Sequence, residues 1–525
     1  MTGIAALLGA AAAAYAVARW LEAPALPFLL AAGVALSVAA PVPRELLEDG
    51  LVIGVSVLLF VAGLELEPRR IATRGRAAIR VGLVQAGALA ALGFAVCLPL
   101  GFSAVEAGYL ALALTASSTL VGVRILKRRR EMFEPYGRVV LGVLLLQDVL
   151  VLLAVPLVTG AGAGGGGAML ESMGGIAVLG AGAAAVRAGA PPLLARADDE
   201  LLVLGSLAVL FLFVSGADLL GVPLVVGAFL AGVALARFPV NGMVRSEVAP
   251  IGDFFSALFF TALGALVQVP SATELWQAGA LAALVVVVTP PLVTLVAERT
   301  GLSARSALEA GLLLSQTSEL SLVIGLAGML RGDLDPGVFT VIVLVTVATM
   351  LLTPLISGDA VTGALLRLHP SQWRTPEGTA PAGHLVLLGG GSTGRALVER
   401  LSPAGSDLLV VERDPSVVAD LRSAGVRALC GEAGDPRILE AAGVGRARAV
   451  VSTVGRAADS GTVLSEAGPR TDVLVRVFTE EDARWIRRRG GEPVLVGEAA
   501  AESLLRWLDR SGPELERRLE ARLRS

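Results

Sequence analysis

The sequence predicts two fold classes in one chain: a polytopic α-helical membrane domain of about thirteen transmembrane helices, with inverted repeats and broken helices, followed by a cytoplasmic α/β Rossmann-like domain. Three observations carry this. Hydrophobic residues make up 54% of the 525 positions and the mean hydropathy is +0.74, far above a soluble average. Long apolar runs fill residues 1–358, whereas charge concentrates after about residue 360. A strand, a glycine turn and a helix then follow a Pro/Gly-rich stretch.

Cut at Gly, Pro and charge clusters, the first part leaves apolar segments at 3–20, 24–40, 51–64, 77–98, 105–125, 138–159, 174–190, 200–216, 221–237, 253–269, 276–297, 308–330 and 339–357. The longer ones suffice to cross a bilayer, and the shorter ones suit helices buried among them. The first has no basic n-region and no clear cleavage motif, so it reads as a retained span. Basic residues in the connections set the orientation. Eighteen Arg or Lys residues follow odd-numbered spans, among them Arg69, Arg70, Arg124, Lys127, Arg128 and Arg129, while only Arg44 and Arg331 follow even-numbered ones. The expected N-terminus is therefore outside and the C-terminal domain cytoplasmic.

Thirteen spans divide as six, one and six. Corresponding spans are then an odd number apart, which inverts one half relative to the other. Secondary transporters use this architecture and hold ions at the midplane on interrupted helices. The polar residues fall accordingly. Span five carries "LTASSTLVG" (114–122), with Thr115, Ser117, Ser118 and Thr119 near mid-depth, and its repeat mate, span twelve, carries "LSQTSELSLV" (314–323), with Ser318 and Glu319. Span six places Gln147 and Asp148 inside "VLLLQDVLVLLA" (143–154).

Each cluster has a plainer reading. Ser/Thr runs in membrane helices also serve packing and back-bonding. Gln147 could be a structural hydrogen bond, and Glu319 reads either as gating or ion coupling or as a structural pair to an unwound backbone. Asp148 is the sharper signal, because a carboxylate at the bilayer centre costs several kcal/mol and such residues are mostly functional. A carboxylate in a low-dielectric cavity can hold a proton or a dehydrated cation, but not both. If the neutralised site crosses far more readily than the bare anion, exchange is coupled without further machinery.

The runs "LLFVAGLELEP" (58–68), "LTASSTLVGVRILKRR" (114–129), "LGVLLLQDVLVL" (141–152), "GVPLVVGAFLAGVALA" (221–236), "FFSALFFTALGA" (254–265) and "GLLLSQTSELSLVIG" (311–325) resemble the Kef-type branch of the monovalent cation:proton antiporters, second family. The resemblance implies that Gln147 and Asp148 hold the monovalent cation, with Thr115–Thr119 and Ser315–Glu319 as the broken helices. A Gln-Asp pair resembles the potassium-handling members, where sodium movers usually carry Asn-Asp or Asp-Asp. Two positions depart from the pattern. Related antiporters commonly carry a basic residue in span eleven, where this chain has Thr289 followed by Pro290 and Pro291, and Lys127 is its only lysine. One carboxylate without a cation to release favours electroneutral exchange. The run "SQTSELSLV" also replaces the more usual Gly-Glu-Phe-Ala-Phe, keeping its glutamate.

The expected domains are a transmembrane domain over 1–358, a linker over 359–383, a nucleotide-binding regulatory domain over 384–497 and a helical tail over 498–525. "HLVLLGGGSTGRALVERL" (384–401) reads as a buried strand, a turn and a helix, with Gly389, Gly391 and Gly394 in GxGxxG spacing. The strand "DLLVVERD" (407–414) follows and brings Glu412 eighteen residues beyond Gly394, at the distance where an acid takes ribose hydroxyls. Arg413 is a candidate phosphate contact or a solvated charge, and Asp414 is placed to cap the helix that starts at Pro415. "VRALCGEAGDPRILEAAGVGRARAVVSTV" (426–454) resembles the Trk-type regulatory nucleotide-binding domains, the N-lobe of regulators of potassium conductance, with Glu432 where aspartate is usual. That resemblance implies a nucleotide effector, AMP, NAD(H) or ATP/ADP. The tail is expected to form an amphipathic helix through Leu504, Leu505, Leu508, Leu515 and Leu519.

Several classes are excluded or set aside. Cys97 and Cys430 lie far apart with no CxxC, against a disulfide framework or structural zinc, and a net charge of -3 suggests no nucleic-acid partner. A tethered oxidoreductase lacks an acid-base pair, since the two histidines are His369 in the linker and His384 at the first strand. The expectation is a homodimeric potassium- or sodium-proton antiporter of the cytoplasmic membrane with no tightly bound metal, open to an ancillary regulatory subunit. The alternative is a nucleotide-gated cation channel or a transporter-like sensor without proton coupling.

Overall fold

A computed structural model describes the chain except for residues 1, 22, 40–43, 66–74, 130, 133, 163–165, 190–197, 237–239, 370–381, 403–406, 456 and 507–525. Leu508, Leu515 and Leu519 of the tail, and residues 370–381 of the expected linker, therefore lie outside the described residues. The rest forms two compact units, 1–300 with 307–364 and 301–306 with 365–525.

Among the described residues, every regular element of the first unit is a helix. Its helices are α1 (Thr2–Trp20), α2 (Ala25–Ala39), α3 (Arg44–Glu65), α4 (Gly75–Cys97), α5 (Ala104–Ala113), α6 (Thr119–Arg129), α7 (Pro135–Gly162), α8 (Gly166–Gly189), α9 (Asp199–Leu219), α10 (Leu224–Leu235), α11 (Val240–Ala265), α12 (Ala272–Glu298), α13 (Ala304–Leu313), α14 (Glu319–Leu330), α15 (Pro336–Ile356) and α16 (Asp359–Leu366). Among the described residues, eight helices are long and apolar enough to cross a membrane, and five shorter apolar ones lie among them. Spans five and twelve are each broken in two, at 114–118 and 314–318. Local chemistry sets several starts. Ser103 with Glu106 and Ser271 with Glu274 form reciprocal capping boxes at α5 and α12. Pro336, whose missing N–H is no loss in a first turn, opens α15.

Helix packing follows the inverted repeat. The α3–α10 pair joins spans three and nine, and shifting both by seven positions gives spans ten and two, which are the packed pair α11–α2. Both crossings rest on glycine pairs. A Cβ on Gly232 would lie 2.1 Å from the Phe60 carbonyl oxygen and one on Gly63 2.3 Å from that of Phe229. In the mate crossing, a Cβ on Gly33 would lie 2.1 Å from the Thr261 oxygen and one on Gly264 2.2 Å from that of Leu30. With no hydrophobic drive between helices in lipid, such close backbone contact is what holds them. The pairs α4–α7 and α12–α15 are related by the same shift.

The second unit contains a six-stranded parallel sheet in the order β3-β2-β1-β4-β5-β6. The strands are β1 (Leu385–Leu388), β2 (Leu408–Glu412), β3 (Arg427–Cys430), β4 (Ala449–Ser452), β5 (Asp472–Val477) and β6 (Glu492–Leu495). Helices α17 (Ser392–Leu401), α18 (Pro415–Ser423), α19 (Pro436–Ala441), α20 (Ala457–Glu466) and α21 (Glu480–Arg487) connect them, and separate apolar clusters cover the two faces. Strand β1 is buried at every position, as the unbroken apolar run "LVLL" requires of a central parallel strand. The strand order reverses between β1 and β4, the crevice at which such sheets hold ligands. Residues 496–506 are helical, with Leu504 and Leu505 exposed.

Candidate functional site: two crossed, broken helices

The five-residue breaks in spans five and twelve meet. Small hydroxyl residues permit this, because their side chains replace backbone bonds that the helix gives up. Ser117 Oγ donates to the Leu314 carbonyl at 2.8 Å, and Gln316 Nε2 reaches the Ser118 carbonyl at 3.4 Å. Ser118 and Ser318 hold the starts of the second halves: Ser118 Oγ accepts from Val121 N at 3.3 Å and Ser318 Oγ from Leu320 N at 3.2 Å. The first residues of those halves touch, Thr119 Oγ1 donating to Glu319 Oε1 at 3.1 Å. Two buried helix N-termini therefore converge, each contributing partial positive charge.

Helix α7 completes the arrangement. Gln147, fully buried, accepts the Ser117 backbone N–H on Oε1 at 3.1 Å. This bond registers α7 on the crossing and sets Asp148, the next residue and partly buried, beside it in sequence. Ser117, Ser118, Thr119, Gln147, Ser318 and Glu319 are thus joined in one neighbourhood. Thr115 is not joined to it by any side-chain bond of this set: its hydroxyl turns back to the Leu112 carbonyl at 2.7 Å, the plain back-bonding use of a membrane threonine.

Sequence reasoning missed one contributor and took a second only as part of the Ser315–Glu319 break. Gln85, fully buried in α4, donates to Ser117 Oγ at 3.4 Å and to the Leu314 carbonyl at 3.3 Å, bridging both breaks. A lone glutamine in "VGLVQAGALAALG" (81–93) carries the same kind of signal as Gln147. Thr317 is the second; its backbone N–H donates to Thr349 Oγ1 of α15 at 3.1 Å and its hydroxyl bonds Thr346 at 3.2 Å. One end of each of three buried amides, Gln85 Oε1, Gln147 Nε2 and Gln316 Oε1, bonds no other described residue. Buried amides in that condition favour a polar or ionic species nearby. Thr289 is fully buried in α12, and its hydroxyl likewise bonds no described residue.

The second unit carries the glycine turn. Gly389 has φ 97°, a conformation L side chains rarely adopt, and a Cβ on Gly394 would lie 2.0 Å from the Gly389 carbonyl. Gly391 is the N-cap of α17, with open space where a Cβ would project. These glycines leave a bare, electropositive helix start of the type that receives a phosphate. Glu412 ends β2 beside it; its Oε2 accepts the Gly390 N–H at 2.5 Å and its Oε1 the Asp414 N–H at 2.9 Å. Arg413 is partly buried, and its carbonyl faces Cys430 Sγ at 4.0 Å.

Comparison with known proteins agrees with this two-part design. Residues 4–358 match the sodium/hydrogen exchanger transmembrane family and residues 385–497 the TrkA-N domain. The chain is 26% identical over 493 residues, 87% of each protein, to YbaL of Escherichia coli, whose name assigns it provisionally to the cation/proton antiporters. It is 28% identical over 426 residues to the glutathione-regulated potassium-efflux system protein KefC of Salmonella typhimurium, covering 77% of this chain and 66% of that one. The sodium proton antiporter MjNhaP1 of Methanocaldococcus jannaschii shares the fold of the first unit, with a TM-score of 0.54 at 15% identity over 70% of this chain and 99% of that one. The chain belongs to the sodium/hydrogen exchanger family of cation/proton antiporters, as a multi-pass membrane transporter with a C-terminal TrkA-N domain.

Proposed function

We propose that the protein exchanges a monovalent cation, potassium in preference to sodium, for protons across the cytoplasmic membrane, with Asp148 as the carboxylate that carries either one. The observation that bears most weight is the bond from Ser117 N to Gln147 Oε1, which ties the Gln147–Asp148 pair to the crossed breaks. The crossing that Gln147 joins offers what a dehydrated cation needs: carbonyls freed by unwinding, the hydroxyls of Ser117, Ser118, Thr119 and Ser318, buried amides, and Glu319. The Gln-Asp pair and the potassium-efflux name of KefC favour potassium.

Coupling follows from one carboxylate, and alternating access from a bundle of spans five, six and twelve moving against the rest. Protonated or cation-loaded, the site is neutral and moves; bare, it is a buried charge and does not. With Thr289 in place of a basic residue, one proton exchanges for one cation and the cycle moves no net charge. Nucleotide bound at Gly389, Gly391 and Gly394, with Glu412 toward the ribose and Arg413 toward a phosphate, regulates the exchange. The protein works as a homodimer with the N-terminus outside and the second unit in the cytoplasm.

The test is purified protein in proteoliposomes holding a pH-sensitive dye under an imposed proton gradient. Added potassium should dissipate the gradient, more strongly than sodium, and Asp148→Asn should abolish the response. Absence of cation-dependent proton flux in the wild type, with and without nucleotide, would sink antiport in favour of a channel or sensor.

A further inference from the structure

A cavity of about 350 Å³ at the ends of α1 and α6 lies toward the opposite end of α6 from the crossing, and the exchange chemistry makes no use of it. Tyr15, Arg19, Arg124 and Arg128 line it together with the backbone around Ala23. Arg19 sits in the last turn of α1 and Arg128 in the last turn of α6. Arg124 Nη1 donates to the Ala23 carbonyl at 2.9 Å, tying the end of α6's second turn to the α1–α2 turn. Among the described residues, the lining carries three guanidinium groups and no carboxylate.

The position says what the cationic groups meet. Helix α1 is apolar enough to cross a membrane, and Trp20 at its end is 82% exposed, with Leu21 beside it 50% exposed. An exposed tryptophan at the end of a span marks the bilayer boundary, where lipid phosphates lie. Arginine grips phosphate with paired, charge-assisted hydrogen bonds, and the volume suits a small polar headgroup. Arginines in last helical turns also complement the helix dipole. That role requires neither a cavity nor the convergence of arginines from two helices so far apart in sequence.

We propose that this cavity binds the phosphate headgroup of an anionic phospholipid. The headgroup joins two sets of helices, since α1 packs on α2 and α11 whereas α6 packs on α7 and α15. Because α6 begins at Thr119, against Glu319, a headgroup held at its other end acts on the same half-helix that forms the crossing. Membrane composition thereby biases how freely that half-helix moves.

The experiment uses the full chain in nanodiscs of phosphatidylcholine, with or without phosphatidylglycerol, and counts retained lipid by mass spectrometry after extraction into detergent. Arg19→Gln/Arg128→Gln leaves Arg124 and its bond to Ala23 in place. The wild type should retain phosphatidylglycerol over phosphatidylcholine, and the double variant at least about tenfold less, as the loss of charge-assisted bonds predicts. Excess inorganic phosphate should not displace the lipid. Equal retention by wild type and variant overturns the proposal, and so does displacement by inorganic phosphate, which would make this a free-phosphate site. If the glutamine variant does not fold, Arg19→Lys/Arg128→Lys keeps the charge but removes the paired donors; undiminished retention there also overturns it.

Discussion

Gln85 and Gln147 grip the unwound part of span five from two helices, one through the Ser117 hydroxyl and one through its backbone N–H. Replacing Gln85 with Leu removes bonds to Ser117 and Leu314 while keeping the volume. Antiport should fall by about five- to tenfold, since each buried bond contributes about 1 kcal/mol net. Thr115→Val removes a hydroxyl that bonds only its own turn, so flux should stay within about twofold of wild type. Dye-monitored flux compares the two directly, and equal losses would refute the distinction drawn between these side chains. In the second unit, partial desolvation of the otherwise exposed Cys430 pushes its thiol above the ordinary value, with Arg422 offsetting part of the rise. Little thiolate is then present at neutral pH. Alkylation of Cys430 by iodoacetamide should climb about tenfold per pH unit and keep rising beyond the pKa of free cysteine. Cys97, fully buried, should not react in the native protein. None of these differences is legible in sequence. Thr115 and Ser117 sit in the same run, and only the folded chain shows which hydroxyl faces its own helix.

Among the elements, the breaks in spans five and twelve were the most readable, because small hydroxyl and polar residues cluster in otherwise apolar helices. The glycine crossings were not readable. The chain holds 62 glycines, and nothing local separates Gly232, on which a Cβ would strike the Phe60 carbonyl, from Gly279, on which it would meet nothing within 4 Å. Gly232→Ala should destabilise the first unit by about 1–3 kcal/mol, seen as a lower Tm in detergent. Gly279→Ala, in the third turn of α12, should leave Tm unchanged or slightly raised. The glycine-rich stretch 159–170 holds the end of α7 at Gly162 and the start of α8 at Gly166.

At the scale of the molecule, the seven-span shift maps the α3–α10 pair onto α11–α2 and the crossing onto itself. A count of spans and charges already implied inverted halves, because an odd offset must reverse orientation. The same charges predict which side each end occupies. Cys430 is the exposed thiol of the two, so it reports that side. A membrane-impermeant maleimide should leave intact right-side-out vesicles unlabelled and label inverted ones; the reverse pattern would overturn the assigned orientation. Nucleotide in the turn of the second unit should slow that labelling, given that Cys430 ends β3 beside Arg413.

Taken alone, the sequence determined the two fold classes, the repeat and the presence of a carboxylate in a membrane helix. Each of these rests on composition, periodicity or charge, which survive without coordinates. Tertiary structure decided which polar groups meet. It brought Gln85, Gln147, Ser117 and the Leu314 carbonyl together across more than two hundred residues of chain, and turned Thr115 back to its own helix. A hydrogen bond depends on distance and direction within a few tenths of an ångström, and the order of residues carries no such information until helices cross.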